Sequence, residues 1–202
     1  YLYDNNFTFL GYREYTFKDD KDGLRSETIK GSGLGLLHDD VSPAYVSEDD
    51  EGLPRNLQEL RRDLPPVSVS KTNRLATVHR RVPMDCVAIK TYDDKGHVVG
   101  EKLFIGLLTS VTYSRSVSDV PYLRQKVEDT VSLSEYVQGT HDLKALRHIL
   151  EKYPRDELFQ IEVPELLTTC KSIIRLQERQ RIALFMRKDP FGRYVSCLVY
   201  IP

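Results

Sequence analysis

The sequence has little cysteine: Cys86, Cys170 and Cys197 are three in 202 residues, odd in number and far apart. That excludes a disulfide framework and a CxxC zinc pattern, and it fits a reducing compartment. Each cysteine reads as a small buried hydrophobe. There is no excess of charge, since 29 Lys+Arg against 30 Asp+Glu leaves a net charge of −1. Dedicated nucleic-acid binders usually carry a basic excess, so nucleic acid is not an expected partner. No apolar run approaches the roughly 20 residues that a membrane-spanning helix requires. The longest candidate, Lys102–Val111, is interrupted by Gly106 and Thr109, so no membrane partner is expected. Nothing at the start reads as a signal peptide, because Asp4, Asn5 and Asn6 follow Tyr1 with no cleavage pattern. Internal repeats, a GxSxG elbow, and HExxH or DxDxDG metal spacings are also missing.

What remains is the balance of a globular protein, 40% hydrophobic and 29% charged. The length suits one large domain or two small ones. The chain starts without Met and stops inside an apolar stretch, 194–202. The expectation is therefore a piece cut from a longer protein.

Hydrophobic periodicity organises the chain. Phe7–Phe17 reads as an aromatic-rich strand with Gly11 as a bulge. Asp19–Gly23 is a turn into an extended piece, Leu24–Lys30. Gly31–Leu37 is a glycine-rich bend, and His38–Gly52 is an acidic loop. Leu57, Leu60 and Leu64 suggest a short helix over 53–64, ended by Pro65-Pro66. Val67 and Val69 begin a strand into Lys71. Val82–Tyr113 reads as a long hairpin turning at Asp93-Asp94-Lys95-Gly96.

The period then changes to helical. Val120, Leu123, Val127 and Val131 share one face, with Asp119 as the expected N-cap before Pro121. A second helix is expected over 142–153 on Leu143, Leu146, Ile149 and Leu150, and a third over 162–177. Arg181–Arg187 and Tyr194–Ile201 read as strands around a turn, Lys188–Arg193. Sheet, then helices, then strands is α+β, mostly antiparallel.

Few residue groups suggest chemistry. Gly31, Gly33 and Gly35 imitate a dinucleotide fingerprint, but Leu36 stands at its sixth position and no helix-forming sequence follows. A bend beside a packed backbone is the better reading. His38 and His97 have no second ligand at a metal spacing. His141-Asp142 reads as a helix start, and His148 with Glu151 as a surface pair. Charge is uneven: residues 1–63 hold 14 acids and 8 bases, whereas residues 64–81 hold 4 bases and no acid. Lys71, Arg74, His79, Arg80 and Arg81 therefore form the candidate site for an anionic effector or for another domain, since guanidinium groups grip carboxylates in two-pronged fashion. The alternative is a solvated strand edge. No residues assemble a nucleophile, a base and an orienter.

Six strings occur in order: FLGYREY (9–15), GSGLGLL (31–37), KTNRLATVHRRVPMD (71–85), YPRDELFQI (153–161), LQER (176–179) and RKDPFGRYVSCLVYIP (187–202). Together they resemble the N-terminal regulatory region of the large bacterial NAD-dependent glutamate dehydrogenases. Cys86 and Gln180 stand where that family commonly has an aromatic residue and a proline. The resemblance implies a PAS-like module over 1–118, a helical connector over 119–178 and the start of an ACT-like module over 179–202. It implies a cytoplasmic, homo-oligomeric oxidoreductase of amino-acid catabolism whose catalytic lysine, aspartate and NAD-binding glycines lie outside this chain. No catalytic, cofactor-binding or metal residue is carried over, and NAD belongs to the intact enzyme. The implied partners are other domains and subunits of the same enzyme, with an amino acid as effector. A scaffold with no ligand is the rival reading. An independent enzyme is a third, and the missing catalytic constellation counts against it.

Overall fold

A computed structural model describes residues 6–20, 23–38, 62–177, 179 and 181–201. The expected helix over 53–64 and the acidic loop over 38–52 lie almost wholly outside the described residues. The class is α+β, and the chain divides into two compact units, one of residues 7–109 and one of Asn6 with residues from Ser110 onward.

The first unit is an antiparallel sheet of β1 (Phe7–Asp20), β2 (Gly23–Thr28), β3 (Leu34–Gly35), β4 (Val67–Leu75), β5 (Pro83–Tyr92) and β6 (Val98–Leu108). The order is β2-β1-β6-β5-β4, with β3 added on β1. The β1–β6 register slips between Phe9 and Gly11, so the bulge falls beside the expected glycine. The Gly31–Leu37 bend also behaves as read. Gly35, at φ 58°, pairs with Gly11, and a Cβ there would sit 2.3 Å from the Leu10 carbonyl oxygen. Close backbone approach explains this glycine.

The β5–β6 hairpin turns where expected. Gly96 takes φ 83°, and Asp93 Oδ1 accepts from the backbone N–H of Lys95 at 2.9 Å and of His97 at 2.8 Å. The His97 ring sits 3.1 Å from Asp93 Oδ2, which gives this histidine a place in the turn. Leu37, Ala76, Met84, Ile105 and Leu107 form a buried cluster at one end of the sheet. Facing positions of β5 and β6 bury an ion pair, Lys90 Nζ to Glu101 Oε2 at 3.0 Å.

The hairpin is shorter than its apolar pattern suggested. The strand stops at Leu108, and α1 (Ser110–Ser114) follows. Thr109 and Ser110 break the apolar run with short hydroxyl side chains that favour helix starts.

The second unit continues with a 3₁₀ turn (Val117–Asp119), α2 (Pro121–Ser134), α3 (His141–Lys152), α4 (Arg155–Gln160), α5 (Val163–Gln177), β7 (Ala183–Lys188) and β8 (Val195–Tyr200). Asp119 is not the N-cap of α2. It is spent in the 3₁₀ turn that Ser116 caps, and buried Val120 holds the cap position with no side-chain bond. Pro121 begins the helix, where its missing N–H costs nothing. Thr140 caps α3 by accepting from the Leu143 N–H. Leu143, Leu146, Ile149 and Leu150 are buried as their spacing predicts, and so are Leu166, Leu167, Cys170, Ile173 and Ile174 of α5. Each fully buried Leu or Ile contributes about 1.5–3 kcal/mol. Helix α4 has too few residues to show a period. Pro154 starts it, and Asp156 and Glu157 suit the positive end of its first turn. Glu151 does not pair with His148: its carboxylate accepts from Ser116 Oγ, the Val117 N–H and Arg155 Nη2.

Candidate functional site

The basic segment closes the open end of the β4–β5 pair. Strand β4 runs on past Lys71 to Leu75, and its register with β5 slips between them. Arg74 lies in that slipped stretch, where Thr72 Oγ1 accepts from its N–H and donates to its C=O. The loop is tied at its base by the Ala76 N–H donating to the Val82 carbonyl at 2.8 Å. At its tip the Arg80 N–H donates to the Val78 carbonyl at 2.7 Å. His79, between them, is forced to φ 59°. Positive φ in a non-glycine residue is uncommon, although histidine tolerates it better than most.

Beside Arg74, which is half-buried, the other four basic residues divide into two sets. Lys71 Nζ lies 2.5 Å from Asp85 Oδ1, opposite it on β5. Asp85 is only 1% exposed, and its Oδ2 accepts from the Leu108 N–H at 2.7 Å. Arg80 Nη2 donates to the Leu108 carbonyl at 2.8 Å. Lys71 and Arg80 thus serve one internal construction, in which both backbone groups of the last β6 residue are held by charged side chains. His79 and Arg81 are exposed beside it. Residues 75–81, nearly all exposed, line an open surface cleft of about 530 Å³.

Asp85 is the residue that charge counting missed. Its signal was a lone acid within the apolar strand PMDCVAI, at the end of an acid-free segment.

A second cluster lies in the second unit. Lys126, on α2, donates from Nζ to the carbonyls of Leu158, Phe159 and Ile161 at 3.0, 3.0 and 2.8 Å. An ammonium has three donors, and here all three serve the C-terminal end of α4. Burial depresses the Lys126 pKa to about 8; Glu162 opposes that, Arg187 adds to it and Glu157 opposes it. Glu157, on the same short helix, pairs with Arg187 of β7. In the β7–β8 turn, buried Asp189 accepts from the backbone N–H and Nε of Arg193, whose guanidinium lies 4.6 Å from the Phe191 ring centre. The turn is self-contained.

One face of the β7–β8 ribbon is exposed and apolar. Leu184 faces Val199, and Met186 faces Cys197. Leu184, Met186 and Val199 are 57%, 63% and 55% exposed. Cys197 is therefore not the buried hydrophobe expected, because it lies on the open face of a two-stranded sheet. Cys86 is half-buried, and Cys170 is buried with its thiol pushed up to about 12 by burial. Among the described residues no group of His, Cys, Asp and Glu could hold a metal ion, and no helix is long and apolar enough to cross a membrane.

Comparison with known proteins adds two family matches. Residues 120–179 match the helical motif 1 of glutamate dehydrogenase, and residues 183–202 match a glutamate dehydrogenase ACT2 domain. The chain is 41% identical over 202 residues to an NAD-specific glutamate dehydrogenase of Pseudomonas aeruginosa, and 36% identical over 213 residues to one of Halomonas elongata. Both alignments take in the whole chain but only 12% of the relative. An NAD-specific glutamate dehydrogenase of Mycobacterium tuberculosis is 31% identical over 116 residues, 57% of the chain and 7% of the relative.

Proposed function

We propose that this chain, which resembles the N-terminal region of the large NAD-specific glutamate dehydrogenases throughout its length, is a non-catalytic regulatory and assembly segment of such an enzyme. The intact protein would oxidise L-glutamate with NAD and water to 2-oxoglutarate, ammonium and NADH. It would act in the cytoplasm as a homo-oligomer in amino-acid catabolism. The observation that carries the reading is the whole-length alignment, supported by the matches to a helical motif and an ACT2 domain. In this reading residues 1–118 are a PAS-like module, 119–178 a helical connector and 179–202 the opening strands of an ACT-like module.

The segment would act by burying surface against other domains or subunits, and by binding an amino-acid effector unequally in two conformations of the enzyme. Two surfaces suit this: the exposed basic loop, and the apolar face of the β7–β8 ribbon, which the remainder of the ACT-like module would cover. The internal use of Lys71 and Arg80 favours a second reading, a scaffold that binds no ligand.

The test is made on the full-length enzyme carrying Arg74→Gln and Arg81→Gln. Glutamate-dependent NAD reduction is measured with and without amino acids, and assembly by sedimentation. Loss of effector response or of assembly, with basal turnover retained, supports regulation through this surface. If both are unchanged, the scaffold reading stands.

A further inference from the structure

We propose that the second unit carries an interface between copies of this chain, in which the acidic face of α2 on one copy meets the basic face of α3 on the other, twice in a two-fold pair. The inference deepens the assembly part of the regulatory reading. It rests on that reading for its place in an intact enzyme, not for the contact itself.

Helix α3 turns mainly positive charge to solvent. Lys144, Arg147, His148 and Lys152 are exposed and recur at helical spacing. The sequence also supplies an acid, Glu151, within one helical turn of Arg147 and His148. The fold withdraws it, because its carboxylate is taken by Ser116, the Val117 N–H and Arg155. The other acid, Asp142, sits in the first turn, where the helix dipole favours it. Among the described residues, no side-chain hydrogen bond or ion pair holds the four basic side chains.

Helix α2 is the reverse case. Glu128, Asp129 and Glu135 are exposed, and Glu135 is the C-cap. Here the fold withdraws a base, since Lys126 serves the carbonyls at the end of α4. Arg124, one turn before Glu128, makes no ion pair among the described residues. The last turn of α2 holds no base. The helix dipole opposes an acid at this end, so local helix stability does not account for Glu135. Leu133 and Val137 are exposed beside these acids and add an apolar contact.

Two faces of opposite sign thus stand on neighbouring helices of one compact unit. Among the described residues no ion pair joins them within the chain. A partner of one sign would cover one face and be repelled by the other. A second copy offers both signs, and a two-fold axis makes each contact occur twice. Complementary charge of this kind steers association and fixes register. Single exposed ion pairs contribute little, so the pair is weak and sensitive to salt.

The test is sedimentation equilibrium of the 202-residue chain up to about 1 mM, which detects association in the micromolar to millimolar range. The original chain is expected to dimerise, with affinity falling about tenfold or more from low to high salt. Lys144→Glu with Arg147→Glu should be monomeric, and so should Glu128→Lys with Asp129→Lys. The chain with all four changes keeps the original net charge and should dimerise again, because both faces are reversed together. An equal mixture of the two double variants should also pair, which reports that each still folds. A chain that stays monomeric overturns the interface. So does equal pairing of all variants at any salt, which would put the contact on the apolar β7–β8 ribbon. Loss of pairing that neither the four-fold variant nor the mixture restores overturns it as well. None of these results bears on glutamate-dependent NAD reduction by the full-length protein, on which the reading of the parent enzyme stands or falls.

Discussion

The carboxylate of Glu157 and the guanidinium of Arg187 meet in a two-pronged pair, Nε to Oε1 at 2.5 Å and Nη2 to Oε2 at 3.0 Å. Both residues are 8% exposed. The pair joins the short helix α4 to the first strand of the ribbon, inside one compact unit. Burial opposes the charge on Arg187, but the Glu157 carboxylate outweighs it and holds the guanidinium above its ordinary range. Lys126 grips the other end of the same helix.

Breaking the pair on one side leaves a buried charge without its partner. Arg187→Met is expected to lower the unfolding free energy of the chain by about 3–5 kcal/mol, and Glu157→Leu with Arg187→Met to recover most of it. Denaturant unfolding of the two variants checks this. Equal losses in the single and double variants would show that packing, not charge, is what the pair provides.

The glycines of the bend should differ. A Cβ at Gly35 meets the Leu10 carbonyl at 2.3 Å, whereas a Cβ at Gly31, also at positive φ, would meet nothing within 4 Å beyond its chain neighbours. Gly31→Ala is expected to cost only the left-handed backbone term of about 1–2 kcal/mol. Gly35→Ala adds a clash with backbone and should cost clearly more, with loss of the β1–β3 pairing. Thermal unfolding of both variants decides the order.

Cysteine reactivity should follow burial. Cys170 is buried, and its thiol, pushed up to about 12, stays protonated through neutral pH. A brief pulse of iodoacetamide on the native chain should label Cys197 and spare Cys170. Mass spectrometry of the peptides reads the outcome, and all three cysteines should label in denaturant.

Lys126 sets a pH dependence with a definite sign. Its ordinary pKa is 10.5, and burial lowers the folded value to about 8. Between those values the unfolded chain holds the proton that the folded chain has shed. Stability from this group therefore rises with pH across that window and is level below it. Lys126→Met should flatten this rise, whatever it does to stability at neutral pH. Unfolding midpoints from pH 7 to 10 measure the slope. A slope identical in the variant would mean that the three carbonyl acceptors keep Lys126 charged throughout.

Local pattern carried much of the architecture. Asp93 and Gly96 mark their hairpin because the turn is made by the residues that announce it. The leucine and isoleucine spacing of α3 and α5 gave the buried faces, since a helix buries one stripe. The end of β6 was not legible, because an apolar run does not say where a strand yields to a helix. Asp119 was misplaced because the preceding 3₁₀ turn, capped by Ser116, competes for it. Of the basic segment, composition identified all five residues. Only the fold shows that Lys71 and Arg80 are bound into the Asp85–Leu108 construction, because both partners lie elsewhere in the chain. Lys126 and the Glu157–Arg187 pair were missed for the same reason: their partners are 30 or more residues away.

The most direct test of the central claim is glutamate-dependent reduction of NAD, measured for the full-length protein and for the 202-residue chain side by side. The account predicts turnover by the full-length protein and none by the chain. Turnover by the chain alone, or a full-length protein inactive towards glutamate with NAD, would contradict it.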